Sequence, residues 1–219
     1  MPLSREEVVP GLIGELSQFE ALVRSLDATE WQTLSRCDGW TTADVAAHVI
    51  GQLADIAAGR FDGLGTPEVT ARQVEERRGR TSAELADELS EVAKVADAIL
   101  GTFDDAAWSG PGPAGGATLG DGVEALWFDA ALHADDIRAA VGRPSDMGSA
   151  FRPSVSHVAQ ILTDQEYRPA TLALDGLDEF PVSGGGPAIT GAPTEFILVA
   201  TGRTAPETLG LDEAINIYR

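Results

Sequence analysis

Apolar residues recur through the first 140 positions at steps of three and four, the spacing that draws a single stripe down a helix. Leu12, Leu16, Phe19, Val23 and Leu26 form the first stripe. Ser4 and Glu7 precede it at capping-box spacing, in which side-chain oxygens satisfy N–H groups left over at a helix start. Pro10 falls inside this segment and predicts a local kink. Thr41 and Asp44 open a second stripe of Val45, Val49, Leu53 and Ile56 that ends near Gly59. Thr81 and Glu84 open a third, Leu85, Leu89, Val92, Ala96, Ile99 and Phe103. A fourth helix is predicted over about 119–141 from Val123, Leu126, Ala130, Ile137 and Val141, with Gly142 and Pro144 as stop signals. Residues 60–80 are a polar connection without a clear period, and 110–116 are rich enough in Gly and Pro to read as loop.

The pattern then changes. Residues 153–166 read as one more helix, 171–174 as a short strand, 180–193 as a Gly- and Pro-rich stretch, and 194–200 as a helix closed by Gly202. Ala214–Tyr218 alternates again, as a strand would. The expected fold class is α+β, mainly α: a four-helix bundle over residues 1–145, with at least one long crossover, followed by a small α+β domain over 150–219.

Charge narrows the partners. With 15 Lys+Arg against 35 Asp+Glu, the net charge of −20 repels phosphate backbones and anionic lipid, so neither nucleic acid nor a membrane is an expected partner. Cys37 is the single cysteine and cannot form an internal disulfide. The first residues, MPLSREEVV, are acidic where a signal peptide is basic, and no run reaches 18 apolar residues, so a cytoplasmic location is expected. The glycine runs at 110–116 and 184–186 do not join a strand to a helix through Lys-Ser or Lys-Thr, and Gly-x-Ser-x-Gly is absent, which argues against nucleotide binding and the usual hydrolase elbow.

Three histidines remain as candidates for chemistry. On the fourth helix, with Leu126 at 0°, His133 falls at about −20°, inside the apolar stripe, and Asp129 at about −60°, on its flank. On the second helix His48 borders the apolar face. A carboxylate and an imidazole at i and i+4, facing a second imidazole across a bundle, are the kind of convergent set from which bundles build internal metal sites. The alternative is a core His133 hydrogen-bonded to Asp129, with His48 an unrelated boundary residue. His157 is expected at the edge of its helix and not as a ligand, Cys37 as a small packing residue, and Arg138 as a bundle salt bridge. Trp31, Trp40, Trp108 and Trp127 are expected to pack at helix ends and in the core.

The stretch Gly39-Trp40-Thr41-Thr42-Ala43-Asp44-Val45-Ala46-Ala47-His48 resembles the GWT-x2-D-V-x2-H signature of the mycothiol-dependent maleylpyruvate isomerase family, whose N-terminal module is a DinB-like four-helix bundle. Residues 129–142 are similar to that family's second motif, Glu-x3-His-x2-Asp-[Ile/Leu], and residues 189–211 to its C-terminal α+β domain, which carries a Gly-Arg pair. The resemblance implies a zinc ion held by His48, Asp129 and His133, with an open position for mycothiol or another low-molecular-weight thiol. A thiol bound there loses its proton near neutral pH, which implies cis–trans isomerisation of an unsaturated dicarboxylate or thiol transfer to a small-molecule electrophile. Arg203 matches the Gly-Arg pair and is the implied catalytic cation for a dicarboxylate; its neutral reading is a surface arginine after a helix end. One departure stands out: Asp129 occupies the Glu position, with about 1.5 Å less reach. Asp136 is a candidate to orient an imidazole or to supply that reach. Two other readings stay open, a metal-free binding module and a metal-dependent hydrolase using zinc-bound water.

Overall fold

The computed structural model describes residues 3–113 and 117–219, so Met1, Pro2 and residues 114–116 of the glycine-rich connection lie outside the described residues. In chain order the elements are α1 (Arg5–Arg24), α2 (Thr42–Ala57), α3 (Pro67–Glu75), α4 (Ser82–Leu100), the one-turn α5 (Asp105–Trp108), α6 (Leu119–Ala140), α7 (Phe151–Asp164), β1 (Ala170–Leu174), β2 (Phe180–Val182), β3 (Ala188–Gly191) and α8 (Pro193–Ala200). They form two compact units, Ser4–Asp146 and, with Leu3, Met147–Arg219. Among the described residues, no helix is long and apolar enough to cross a membrane.

In the first unit α1 and α2 each pack against both α4 and α6, which closes a four-helix bundle. The capping boxes at Thr41/Asp44, Thr81/Glu84 and Thr118/Asp121 all form with both reciprocal bonds. The expected box at Ser4 does not: its carbonyl accepts from the amides of Glu7 and Val8, but its hydroxyl makes no cap bond. The first turn is held from the side instead, by the Arg5 guanidinium, which donates to the Phe103 carbonyl and pairs with Asp105 at 3.6 Å. Pro10 does not end α1, because near the helix start its ring forfeits a single backbone hydrogen bond.

Leu12, Leu16, Phe19, Val23 and Leu26 are all buried, as are Val45, Val49, Leu53, Leu85 and Leu89. The third stripe opens toward its C-terminal end, where Ile99 is 39% exposed. Between α1 and α6 a Cβ on Gly11 would stand 2.0 Å from the Trp127 ring, so only glycine admits the indole.

The polar stretch 60–80 is more structured than its pattern suggests. Thr66 caps α3, and Pro67 occupies its first turn, where a missing N–H costs nothing. Asp55, buried in α2, accepts from Arg60 Nε at 2.8 Å, Arg72 Nη2 at 2.6 Å and Gln73 Nε2 at 2.7 Å. Burial raises the Asp55 pKa, but these donors outweigh it and hold the carboxyl below its ordinary value. Gly51 makes room for the contact, since a Cβ there would lie 2.6 Å from that of Gln73. Apolar periodicity does not see such a helix because Val74 is the one apolar residue it buries, beside the polar Gln73.

In the second unit the sheet order is β2-β1-β3. β1 runs antiparallel to β2, with Leu172 opposite Phe180, and parallel to β3, with Leu172 opposite Ile189. Ala170, Leu172 and Leu174 are buried, and α7 packs on β2 and α8. The Ala214–Tyr218 strand does not form. Asp212 caps a 3-10 turn over Glu213–Ile215, and Ile217 then donates to the Ala200 carbonyl at 2.9 Å. Ile215 and Ile217 are both buried, so their alternation reflects burial from a turn and not from a sheet.

Candidate metal centre

Residues 33–42 form a small hairpin in front of α2. The Thr42 amide donates to the Thr33 carbonyl at 2.9 Å, and the Ser35 amide to the Trp40 carbonyl at 2.8 Å. The turn closes at Gly39, whose φ of +77° is a backbone state that side-chain-bearing residues rarely take. The hairpin delivers Thr41 to its capping position and brings Arg36 and Cys37 against the middle of α6.

There α6 presents Asp129, His133, Asp135 and Asp136, and α2 presents His48. Asp129 directs Oδ1 to His133 Nε2 at 3.6 Å and Oδ2 to His48 Nε2 at 3.9 Å. The two imidazoles meet edge to face, with centroids 5.2 Å apart. One ligand atom from each of His48, Asp129 and His133 fits within 4.8 Å of the others, so the set can hold a metal ion. Ligand atoms around a tetrahedral zinc at about 2.0–2.1 Å stand roughly 3.4 Å apart, so small side-chain shifts bring these three to bonding distance. The short side chain of Asp129 already spans both imidazoles from its place on α6.

The other edge of His133 faces a second cluster. Its Nδ1 lies 2.9 Å from Asp136 Oδ2, and Cys37 Sγ lies 3.2 Å from that same oxygen and 3.9 Å from Nδ1. Cys37, His133 and Asp136 also satisfy the spacing for an ion. A ring nitrogen engaged at 2.9 Å with a carboxylate suits an orienting role, which leaves Nε2 free to face Asp129 and His48. Cys37 is therefore more than the packing residue its sequence context suggests: it touches the carboxylate that sets the His133 ring.

Asp136 is completely buried and Asp135 nearly so, and both are held by one cation. Arg36 Nε donates to Asp136 at 2.8 Å, and its Nη2 to Asp135. Neither Arg36 nor Asp135 was legible as a site residue. The only signal is two adjacent acids next to a buried stripe, which demands a cation, and that cation lies 100 positions away in a loop. Arg36→Ala removes the cation shared by the two buried acids, and we expect it to cost about 3 kcal/mol in urea unfolding, with Arg36→Lys recovering only part because an ammonium lacks the two-pronged fork.

The two histidines titrate in opposite directions. Burial lowers the His48 pKa below its ordinary value, against the opposing pull of Asp129 and of the Gln73 amide. Its Nδ1 is buried without a hydrogen bond, and Trp40 packs against the ring at 5.4 Å between centroids. For His133, burial alone would lower the pKa, but the Asp129 charge, then Asp136 and Cys37, push it up to about 10. His48 therefore offers a neutral nitrogen at pH 7, whereas His133 must release a proton to ligate.

His157 is half-buried on α7 and belongs to neither cluster. Arg203 stands in the second unit, half-buried, its Nη1 donating to the Thr201 carbonyl at 3.2 Å. Arg138 pairs with Asp146 at 3.7 Å, the bundle salt bridge expected of it.

Comparison with known proteins bears on this arrangement. The family profile described as the mycothiol maleylpyruvate isomerase N-terminal domain matches residues 14–138. Among solved structures, a mycothiol-dependent maleylpyruvate isomerase is similar in fold, with a TM-score of 0.69 and 18% identity over 96% of each chain. A histidine-to-alanine mutant of a mycothiol-dependent maleylpyruvate isomerase superposes with a TM-score of 0.66 at 18% identity, again over 96% of each chain. No curated protein sequence matches the chain.

Proposed function

Because the chain belongs to the mycothiol maleylpyruvate isomerase family, we propose that it is a zinc-dependent enzyme that activates a low-molecular-weight thiol, of the mycothiol kind, for isomerisation of an unsaturated dicarboxylate or transfer to a small electrophile. The observation that carries this reading is the convergence of His48 Nε2, Asp129 and His133 Nε2, with the far nitrogen of His133 tied to Asp136. That donor set, two imidazoles and a carboxylate, suits zinc and leaves a coordination position for an exogenous ligand. When bound, zinc lowers the pKa of a coordinated thiol so that the thiolate is available near neutral pH.

The chain's own residues then have defined tasks. His48 and Asp129 hold the ion, and His133 does so once its Nε2 is deprotonated. Asp136 accepts from His133 Nδ1 and fixes the ring, and Arg36 holds Asp136 in place. Arg203 is assigned as the cation for a substrate carboxylate, by its match to the family's Gly-Arg pair.

A second reading, a metal-free binding module, is favoured by the charge balance of the cluster. A protonated His133 between Asp129 and Asp136 is electrostatically satisfied with no ion present. Elemental analysis and thiol-dependent turnover separate the two. We expect about one zinc per purified chain and conversion of a maleylpyruvate-type substrate that needs mycothiol, is lost on chelation and returns with zinc. Conversion unaffected by chelation, or a chain that takes up no zinc, rejects the enzyme reading in favour of the module.

A further inference from the structure

The third apolar stripe does not close on itself. Where α4 nears its C-terminus, Ala96 is half-buried and Ile99 is exposed. The four bundle helices there surround a cavity of about 310 Å³ lined by Leu53, Ile56, Ala96, Ile99 and Leu126, with Gln52 at its wall. No charged side chain is among the described residues lining it. Its place relative to the metal centre follows from helix arithmetic. Gln52 comes four residues after His48 and Leu126 three before Asp129, so on both helices the cavity wall lies one turn, about 5.4 Å, from a ligand side chain and on the same face.

We propose that this cavity is a binding pocket for the apolar body of the electrophile, with the reacting atom held at the metal centre; the proposal rests on the thiol-activation reading above and adds the substrate class to it. A carboxylate inside the cavity would be stripped of water with no cation to meet it, at a cost of several kcal/mol, so the group it takes is neutral. The volume matches about ten water-sized atoms, an aromatic ring system or a short branched chain, at the lower end of small-molecule pockets. Among the described residues lining the pocket Gln52 carries an amide, one turn from His48 along α2, and it is the group we assign to hydrogen-bond a carbonyl or nitro oxygen near the reacting end. Any carboxylate the substrate carries belongs outside the pocket.

The test uses the full chain with 2-naphthol as a neutral probe and 2-naphthoate as its anionic counterpart. Saturable 2-naphthol binding is expected in fluorescence titration, with 2-naphthoate at least about tenfold weaker. Ile99→Glu, at a partly exposed lining position, and Ala96→Phe, which fills the space, are each expected to weaken 2-naphthol about tenfold. Chelation is expected to leave 2-naphthol affinity within about twofold, since the pocket holds no ligand side chain. Cobalt(II) added to the chelated and desalted protein is expected to broaden the proton resonances of bound 2-naphthol, and zinc is not, because one turn of helix separates probe from ion. No saturable binding up to about 1 mM, equal affinity for both probes, or unchanged affinity in both variants overturns the pocket. Binding that persists without any cobalt effect, in a protein that does take up cobalt, overturns its link to the centre. Failure to take up metal at all, with 2-naphthol still bound, rejects the thiol-activation reading and leaves the pocket standing.

Discussion

His133→Ala is expected to weaken zinc binding about 10²–10³-fold, because structural zinc sites gain roughly 10–16 kcal/mol from four ligands and this change removes one of three. His48→Ala should cost a similar factor, and the two together should leave only a lone carboxylate. Competition with a chromophoric chelator reads both. The same titration addresses Asp129, which reaches both imidazoles already, at 3.6 and 3.9 Å. Asp129→Glu is therefore expected to change affinity by less than about tenfold, whereas Asp129→Ala should behave like a ligand loss. A tightening well beyond tenfold in Asp129→Glu would mean that the shorter side chain starves the site.

The second large effect is with pH. His133 is pushed up to about 10 and His48 lies below its ordinary 6.5, so between pH 7 and 9 only His133 carries a proton that an ion must displace. Metal affinity should rise about tenfold for each pH unit in that window and level off above the His133 pKa. Without metal the direction reverses. A histidine whose pKa is higher folded than unfolded adds stability that is fully present below about 6.5 and is lost as pH climbs through about 10. The amount is on the order of a few kcal/mol, set by Asp129 and Asp136 around a buried imidazolium. Urea unfolding in the presence of a chelator should thus give a more stable protein at pH 6 than at pH 10, and His133→Gln should flatten that difference. A metal-free wild type equally stable at both pH values would contradict the charge assignment of His133.

Much of this was readable in the chain because the signals were local. Thr41 and Thr81 announce their helices through side chains three residues away, and the apolar stripes they open become the bundle core. His48, Asp129 and His133 could be placed on facing helix sides because each sits within a regular 3.6-residue period. What escaped depends on polar burial or on distance. α3 buries Gln73 beside a single apolar residue, Val74, and helical-period analysis of apolar residues passes over such a helix. Arg36 is one arginine among fourteen, in a hairpin, and nothing local says that it will meet Asp135 and Asp136. Ser4 has the letters of a capping box but lacks its bond, because the first turn of α1 is anchored through Arg5. Ile215 and Ile217 have the alternation of a strand, yet Asp212 caps a 3-10 turn before them.

The Arg36–Asp136 contact joins residues 100 positions apart, and it stands behind the orientation of His133. Such a contact closes a long loop, and its entropic cost is met only after the intervening helices have been laid down. The centre is therefore expected to form late in folding, since α2, α6 and the hairpin must all be in register before three donors face one another. An ion taken up there has no nucleus to promote. Its effect falls on the rate at which the finished bundle comes apart, so that occupancy lengthens the lifetime of the folded chain while leaving the speed of its formation unchanged.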